Sequence, residues 1–159
     1  MNFGESKANP SQKHTWQALA LSKAEEFVKK MPAGLEERIA RGGGNVSGGQ
    51  KQRLSIARAL AREPEILIFV DSFSALDYKT DAELRKGLDA ELGSTTRLIV
   101  GQRIGTIRNA DVIIVLEHGR IVGKGTHEEL LRNCPVYHEI AKSQLSAREL
   151  GEEGSEDHA

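Results

Sequence analysis

The sequence predicts an α/β fold: a mostly parallel sheet with flanking helices. Three observations predict it. Ile66–Val70 is a continuous apolar run of strand-forming residues bounded by Pro64 and a turn, and further short apolar runs follow at Arg97–Val100 and Asp111–Leu116. Between and around them lie stretches with helical spacing, such as residues 51 to 62 (KQRLSIARALAR). Strands alternating with helices are the pattern of a parallel sheet with crossover connections.

The elements are expected in this order. Residues 1 to 15 read as loop. Residues 16 to 31 read as one helix, with Trp16, Ala20, Ala24, Phe27, Val28 and Met31 on one face and Pro32 ending it. Residues 33 to 46 form an irregular connection rich in glycine. In the helix over 51 to 62, Leu54, Ala57, Leu60 and Ala61 share a face, Arg53, Arg58 and Arg62 stay polar, and Pro64 stops it. Ile66–Val70 is expected to be buried on both faces, and residues 72 to 79 form a loop. Thr80 and Glu83 have capping-box spacing and open a helix carrying Leu84, Leu88 and Leu92 inward. Arg97–Val100 and Asp111–Leu116 are the next strands. Glu117-His118-Gly119 turns into a fourth, Arg120–Val122. Thr126 and Glu129 cap another helix, and a further helix runs from about 135 to 147. Residues 148 to 159 (RELGEEGSEDHA in context) are acidic and expected to be a disordered tail.

Bulk properties exclude several classes. A chain of 159 residues holds one domain or less. The 23 acidic and 22 basic residues nearly cancel, so no basic field points to nucleic acid. Cys134 is the one cysteine; it fits a reducing compartment and reads as a buried or idle thiol. The longest apolar runs, Ile66–Val70 and Val112–Leu116, fall far short of the roughly 20 residues of a membrane helix. The polar N-terminus does not look like a signal peptide. His14, His118, His127, His138 and His158 show no metal-ligand spacing.

The most informative stretch is Asn45-Val46-Ser47-Gly48-Gly49-Gln50, just before the 51–62 helix. Two glycines at a helix start cost up to about 1 kcal/mol each against alanine. Ser47 and Gln50 have capping-box spacing. The glycines also allow a ligand close to the backbone, where free N–H groups and the helix dipole favour an anion. One serine can serve both purposes.

Three blocks in this order, S-G-G-Q, ILIFVDSFSALD (66 to 77) and LIVGQRIGTIRNADVIIVLEHGRIVGKGTHEE (98 to 129), resemble the ATP-binding cassette (ABC) family. Within it they resemble the nucleotide-binding domain of exporter-type transporters. The resemblance covers about residues 16 to 147. It implies a partial P-loop NTPase-like fold, with a helical signature subdomain (16–62) and a Walker B to C-terminal part (64–147). It also implies ATP and Mg²⁺ in the assembled transporter, none being expected for the chain alone. The implied partners are a second nucleotide-binding domain, paired head to tail as a heterodimer, and transmembrane domains that the segment before the signature faces. The implied location is cytoplasmic, at the inner face of the membrane. A soluble ABC ATPase of DNA repair or translation fits less well, because the block from Gly119 to Leu130 looks transporter-like.

The family's P-loop, G-x-x-x-x-G-K-[ST], is absent from these residues. Gly119 to Gly123-Lys124 is one residue short in glycine spacing, and Gly125 stands where Ser or Thr is required. The family's P-loop lies N-terminal to the signature, so the sequence reads as the C-terminal part of a nucleotide-binding domain.

The resemblance also assigns residues. Ser47, Gly48, Gly49 and Gln50 match the signature that closes on ATP held by the partner. Ser74, Ala75, Leu76 and Asp77 match the D-loop. For the Walker B segment two registers are open. In one, Asp71 is the magnesium aspartate and a residue is deleted before Ser74. In the other, which keeps Pro64 and Ser74–Asp77 in place without a gap and is preferred, Val70 takes the magnesium position and Asp71 the catalytic-glutamate position. Gln102 takes the place of the switch histidine. Valine offers no oxygen to Mg²⁺, Asp71 is a methylene shorter than glutamate, and an amide cannot carry a proton charge as histidine can. These departures resemble the degenerate half of a heterodimeric exporter, with an own site that hydrolyses ATP very slowly. The competing expectation is a truncated remnant with neither binding nor activity. Without the rest of the family's sheet, apolar strand faces would be exposed, so the isolated chain is expected to be poorly soluble or partly molten and to bind no ATP.

Overall fold

The computed structural model describes residues 12–146 and Leu150. It divides into two compact units, Met1–Val100 and Gly101–Ala159.

The first unit begins with helix α1 (Gln12–Leu21) and helix α2 (Glu25–Lys29). Residues 12 to 15, expected as loop, are therefore helical, and the single helix expected over 16 to 31 is broken at Ser22-Lys23. The cause is a C-terminal cap. Lys23 adopts φ 59°, Ala24 N–H reaches back to Leu19 O at 2.7 Å and Lys23 N–H to Ala20 O at 3.0 Å. This is a Schellman pair built on lysine instead of glycine. Ser22 Oγ donates to Leu19 O, and Arg53 Nη1 donates to Lys23 O at 2.8 Å. The break turns Ala24 fully inward, beside Leu19, Val28 and Ala57.

The connection from 33 to 46 contains two 3-10 turns, Gly34–Glu36 and Arg41–Gly43. It is stitched by side chains. Asn45 Oδ1 accepts from Ala40 N–H, Asn45 Nδ2 donates to Arg38 O, and Lys51 Nζ donates to Gly42 O.

Helix α3 (Gly48–Leu60) buries Ile56, Ala57 and Leu60. Strand β1 (Ile66–Val70) pairs in parallel with β2 (Thr96–Val100), joined by α4 (Tyr78–Glu91). The core of this unit gathers Ala18, Ile56, Leu60, Leu67, Phe69, Phe73, Leu76, Leu84 and Leu88. The expectation that β1 is buried on both faces is corrected. Leu67 and Phe69 are buried, whereas Ile66, Ile68 and Val70 are 62–64% exposed. On β2, Leu98 and Val100 are likewise about half exposed. Among the described residues this ladder has two strands; Leu67 and Phe69 face the helices of this unit, and the alternate side chains point to the other face.

Helix α4 also starts earlier than expected. Its N-cap is Asp77, not Thr80. Asp81 is buried beneath a bidentate pair with Arg85, whose Nε and Nη2 donate at 3.0 and 2.9 Å.

The second unit holds α5 (Ile104–Ile107), the antiparallel hairpin β3 (Ile113–Glu117) and β4 (Arg120–Gly125), α6 (His127–Asn133) and α7 (Pro135–Lys142). His118 and Gly119 both have positive φ (47° and 75°), the requirement of a type I′ hairpin turn. The Gly119–Gly125 segment is thus a turn and a strand, not a phosphate loop. Gly123 lets α6 lie close, because a Cβ there would sit 2.7 Å from Cys134 Sγ. Cys134 is buried in the core with Ile104, Ile113, Val115, Leu130, Tyr137 and Ala141. The capping box of Thr126 and Glu129 forms as expected. Of the expected tail, only Leu150 is described, and it packs against this core. The rest of 148–159, like residues 1–11, lies outside the described residues.

Candidate functional site

The site is built on the start of α3. Ser47 is the N-cap: its Oγ accepts from Gln50 N–H, and Gln50 Oε1 accepts from Ser47 N–H at 2.9 Å. This is the reciprocal capping box expected from the sequence. It holds Ser47 extended (φ −67°, ψ 163°) and exposed at the helix entrance. As at any helix start, the N–H groups of Gly48 and Gly49 have no intrahelical acceptor, and the dipole gives them partial positive charge. The arrangement fits an anion: two donors without Cβ atoms and a hydroxyl at one helix end.

The glycines also have a neighbour inside the chain. A Cβ on Gly49 would lie 3.1 Å from Ala75 O, whereas one on Gly48 would meet only Ala75 Cβ at 3.9 Å. The Ser74–Asp77 loop therefore lies directly against the start of α3. Leu76 is buried in the core below, Ser74 and Ala75 are exposed.

Asp77, at the end of that loop, caps α4. Its Oδ1 accepts from Thr80 N–H at 2.9 Å and its Oδ2 from Thr80 Oγ1 at 2.7 Å. The Thr80 backbone N–H, followed by its hydroxyl, holds the Asp77 carboxyl below the usual carboxylate range.

Val70 ends β1 on the exposed face, and Asp71 follows in the left-handed region at φ 51°. Its backbone is held on both sides. The N–H donates to Val100 O at 3.1 Å, and the carbonyl accepts from Gln52 Nε2 at 2.9 Å and Ser74 Oγ at 3.0 Å. The Asp71 carboxylate is at the surface. With valine at position 70, the donor set at the strand end does not suit a directly bound Mg²⁺ in the ungapped register.

Gln102 belongs to the second unit. Its side chain is exposed, and its carbonyl accepts from Gln144 Nε2, while Gln144 Oε1 accepts from Ile104 N–H. The first unit thus brings together Ser47–Gln50, Asp71 and Ser74–Asp77. Among the described residues, no group of His, Cys, Asp and Glu is arranged to hold a metal ion, and no helix is long and apolar enough to cross a membrane.

Sequence reasoning missed Gln52, which bridges α3 to the Asp71–Ala75 loop. It also missed the capping role of Asp77. An aspartate three residues before Thr80 was a signal for the cap; Gln52 left none, because its partners lie 19 to 23 residues away.

The sequence and the fold are similar to those of known proteins. The sequence model of the family described as ABC transporter matches residues 3–73. An ABC transporter ATP-binding protein of Mycobacterium tuberculosis is 47% identical over 141 residues, covering 89% of this chain and 24% of that protein. The ABC transporter ATP-binding protein YfiB of Bacillus subtilis is 43% identical over 155 residues, 98% of this chain and 26% of that protein. A solved bacterial Atm1-family ABC exporter with ATP bound superposes with a TM-score of 0.83 at 32% identity, over 87% of this chain and 24% of that one. The chain spans about a quarter of the length of these relatives. Together these matches support an ABC nucleotide-binding domain of exporter type, to whose C-terminal part the chain corresponds.

Proposed function

We propose that the chain is part of the ATP-binding component of an ABC exporter, where ATP binding and hydrolysis drive transmembrane export. In this reading it lends its signature in trans to an ATP site held by a second nucleotide-binding domain, paired head to tail, while its own site is degenerate. The observation that carries the reading is the exposed, capped start of α3. There Ser47, Gly48 and Gly49 present a hydroxyl and two backbone donors with no side chain in the way.

In the assembled transporter, Ser47 and the Gly48 and Gly49 amides would bind the γ-phosphate of the partner's ATP, and Gln50 would hold Ser47 in place. Asp77 and its loop would lie at the interface between the domains. ATP with Mg²⁺ supplies the cleavable phosphoanhydride. At the chain's own site, Val70, Asp71 and Gln102 stand where a metal ligand, a water-positioning carboxylate and a proton-carrying imidazole are needed. Phosphoryl transfer depends on positioning and electrostatics, so that site is expected to bind ATP and cleave it very slowly. Transmembrane domains would hold the protein at the inner face of the membrane, and no nucleic acid is involved.

The test separates the cap from the phosphate contact. Ser47→Asp keeps an N-cap acceptor but sets a negative charge where the phosphate would lie. In the assembled transporter it is expected to abolish the partner site's ATPase while thermal stability is retained. Full ATPase with Ser47→Asp overturns the reading.

A second reading, a remnant without activity, is favoured by Val70 and by the open apolar face of β1 and β2. The intact mass of the native product discriminates the two. A mass near that of 159 residues supports the remnant, and a much larger one supports the transporter.

A further inference from the structure

Gln52 hydrogen-bonds across the site, although the chemistry above does not use it. It sits on α3 one turn after Gly48, and its amide faces the loop that follows β1. Nε2 donates to Asp71 O at 2.9 Å and to Ser74 Oγ at 3.3 Å, and Oε1 accepts from Ala75 N–H at 3.0 Å. The orientation of the amide is fixed by these partners. Turned over, it would set oxygen against the Asp71 carbonyl and NH₂ against the Ala75 N–H. Ser74 Oγ donates to Asp71 O, which leaves its lone pairs for Gln52. Only a side chain that donates and accepts at one tip, at this length, satisfies all of these groups.

Two further features depend on the same clamp. Asp71 stands in the left-handed region, which costs a residue with a Cβ about 1 kcal/mol, and such strain persists only where surrounding bonds over-determine it. Gly49 removes the one Cβ that would push Ala75 O away from α3.

We propose that Gln52 is a positioning residue: it locks the Asp71–Asp77 loop to the start of α3, so that the placement of Asp71 and Asp77 follows the seating of Ser47–Gln50 on a nucleotide. The coupling to nucleotide rests on the functional reading above; the locking of the loop does not. Gln52 touches no reacting atom. It makes the signature turn and the loop one body, so a displacement at one is transmitted to the other.

The variants are Gln52→Glu and Gln52→Met, with Ser47→Asp as comparator, in the assembled transporter that contains this chain. Gln52→Glu keeps the acceptor for Ala75 N–H but loses both donors and turns a carboxylate toward Asp71 O. Gln52→Met keeps the length and loses every hydrogen bond. Hydrogen–deuterium exchange is read first. Residues 71 to 77 are expected to exchange about tenfold faster, as for the loss of one or two hydrogen bonds, with the body of α3 unchanged. Unchanged exchange, or acceleration spread equally through α3 and α4, overturns the locking. Steady-state kinetics is read second. Both variants are expected to lower kcat by about tenfold or more with KM for ATP within about twofold, because misplacement costs rate without removing a contact to ATP. Unchanged kcat beside an inactive Ser47→Asp variant overturns the coupling while the proposed function stands. Full activity in Ser47→Asp overturns the proposed function and the coupling with it, and the exchange result then decides the locking alone.

Discussion

Ile66, Ile68 and Val70 on β1 stand beside Thr96, Leu98 and Val100 on β2, in register, on one face of the parallel pair. The five apolar residues among them are 52–64% exposed. Fully burying such a side chain is worth about 1.5–3 kcal/mol, so each forgoes about 1–2 kcal/mol and the patch about 5–9 kcal/mol in all. That equals much of the net stability of an ordinary domain, about 5–15 kcal/mol. The 159-residue chain alone is therefore expected to associate through this face and to bind a hydrophobic dye such as ANS. Ile68 and Leu98 are direct cross-strand neighbours at the centre of the patch. Replacing them as a pair, Ile68→Lys with Leu98→Glu, removes the two central apolar side chains and substitutes an opposite-charge cross-strand pair worth about 0.2–1 kcal/mol. Sedimentation velocity should then move from aggregates to monomer, and ANS fluorescence should fall at least about twofold. Leu67→Lys, on the buried face of the same strand, should unfold the chain instead. A wild-type chain that sediments as a monodisperse monomer, melts in one sharp transition and binds no ANS would refute the reasoning.

On that solubilised background two further outcomes follow. Gly48→Ala should raise stability toward urea by up to about 1 kcal/mol, because its Cβ meets only ordinary contact. Gly49→Ala should lose that gain, because its Cβ would lie 3.1 Å from the Ala75 carbonyl; equal gains at both positions would contradict the close approach. Asp77 should titrate below the usual carboxylate range, held there first by the Thr80 N–H and then by the Thr80 hydroxyl. Its folded pKa is depressed, so its contribution is present above the unfolded value of about 4 and is lost as pH falls through the folded one. Fraying of α4 on acidification, followed by NMR, should diminish in Asp77→Asn, and an identical acid profile in the variant would contradict the cap.

Short-range chemistry was legible in the sequence. Ser47-x-x-Gln50 and Thr126-x-x-Glu129 form the capping boxes their spacing implies, since both partners lie within one helical turn. The runs at 66–70 and 97–100 are parallel strands, and His118-Gly119 makes the hairpin turn. Local rules failed where a competing partner lay close by. Thr80 and Glu83 have capping-box spacing, but Asp77 supplies a better acceptor three residues earlier and takes Thr80 as its donor. The helix expected over 16 to 31 has no glycine or proline at 22 or 23 to mark its break. Lys23 reverses the chain there in a C-terminal cap, and Arg53, thirty residues on, donates to its carbonyl.

The sequence by itself therefore determined the family, the order of strands and helices, and the residue types at 47–50, 70–71, 74–77 and 102. Those properties are written in neighbouring residues and in motif spacing. Tertiary structure alone decided which face of β1 is covered. Alternation of side chains is set by the strand, but burial is set by what packs against it, and among the described residues of the first unit the helices pack on the side of Leu67 and Phe69. It also decided that the loop carrying Asp71 and Ala75 lies against the start of α3, where Gln52 reaches Asp71 O and Ala75 N–H and Gly49 lies close to the Ala75 carbonyl, because no local pattern encodes where atoms some 20 residues apart come together.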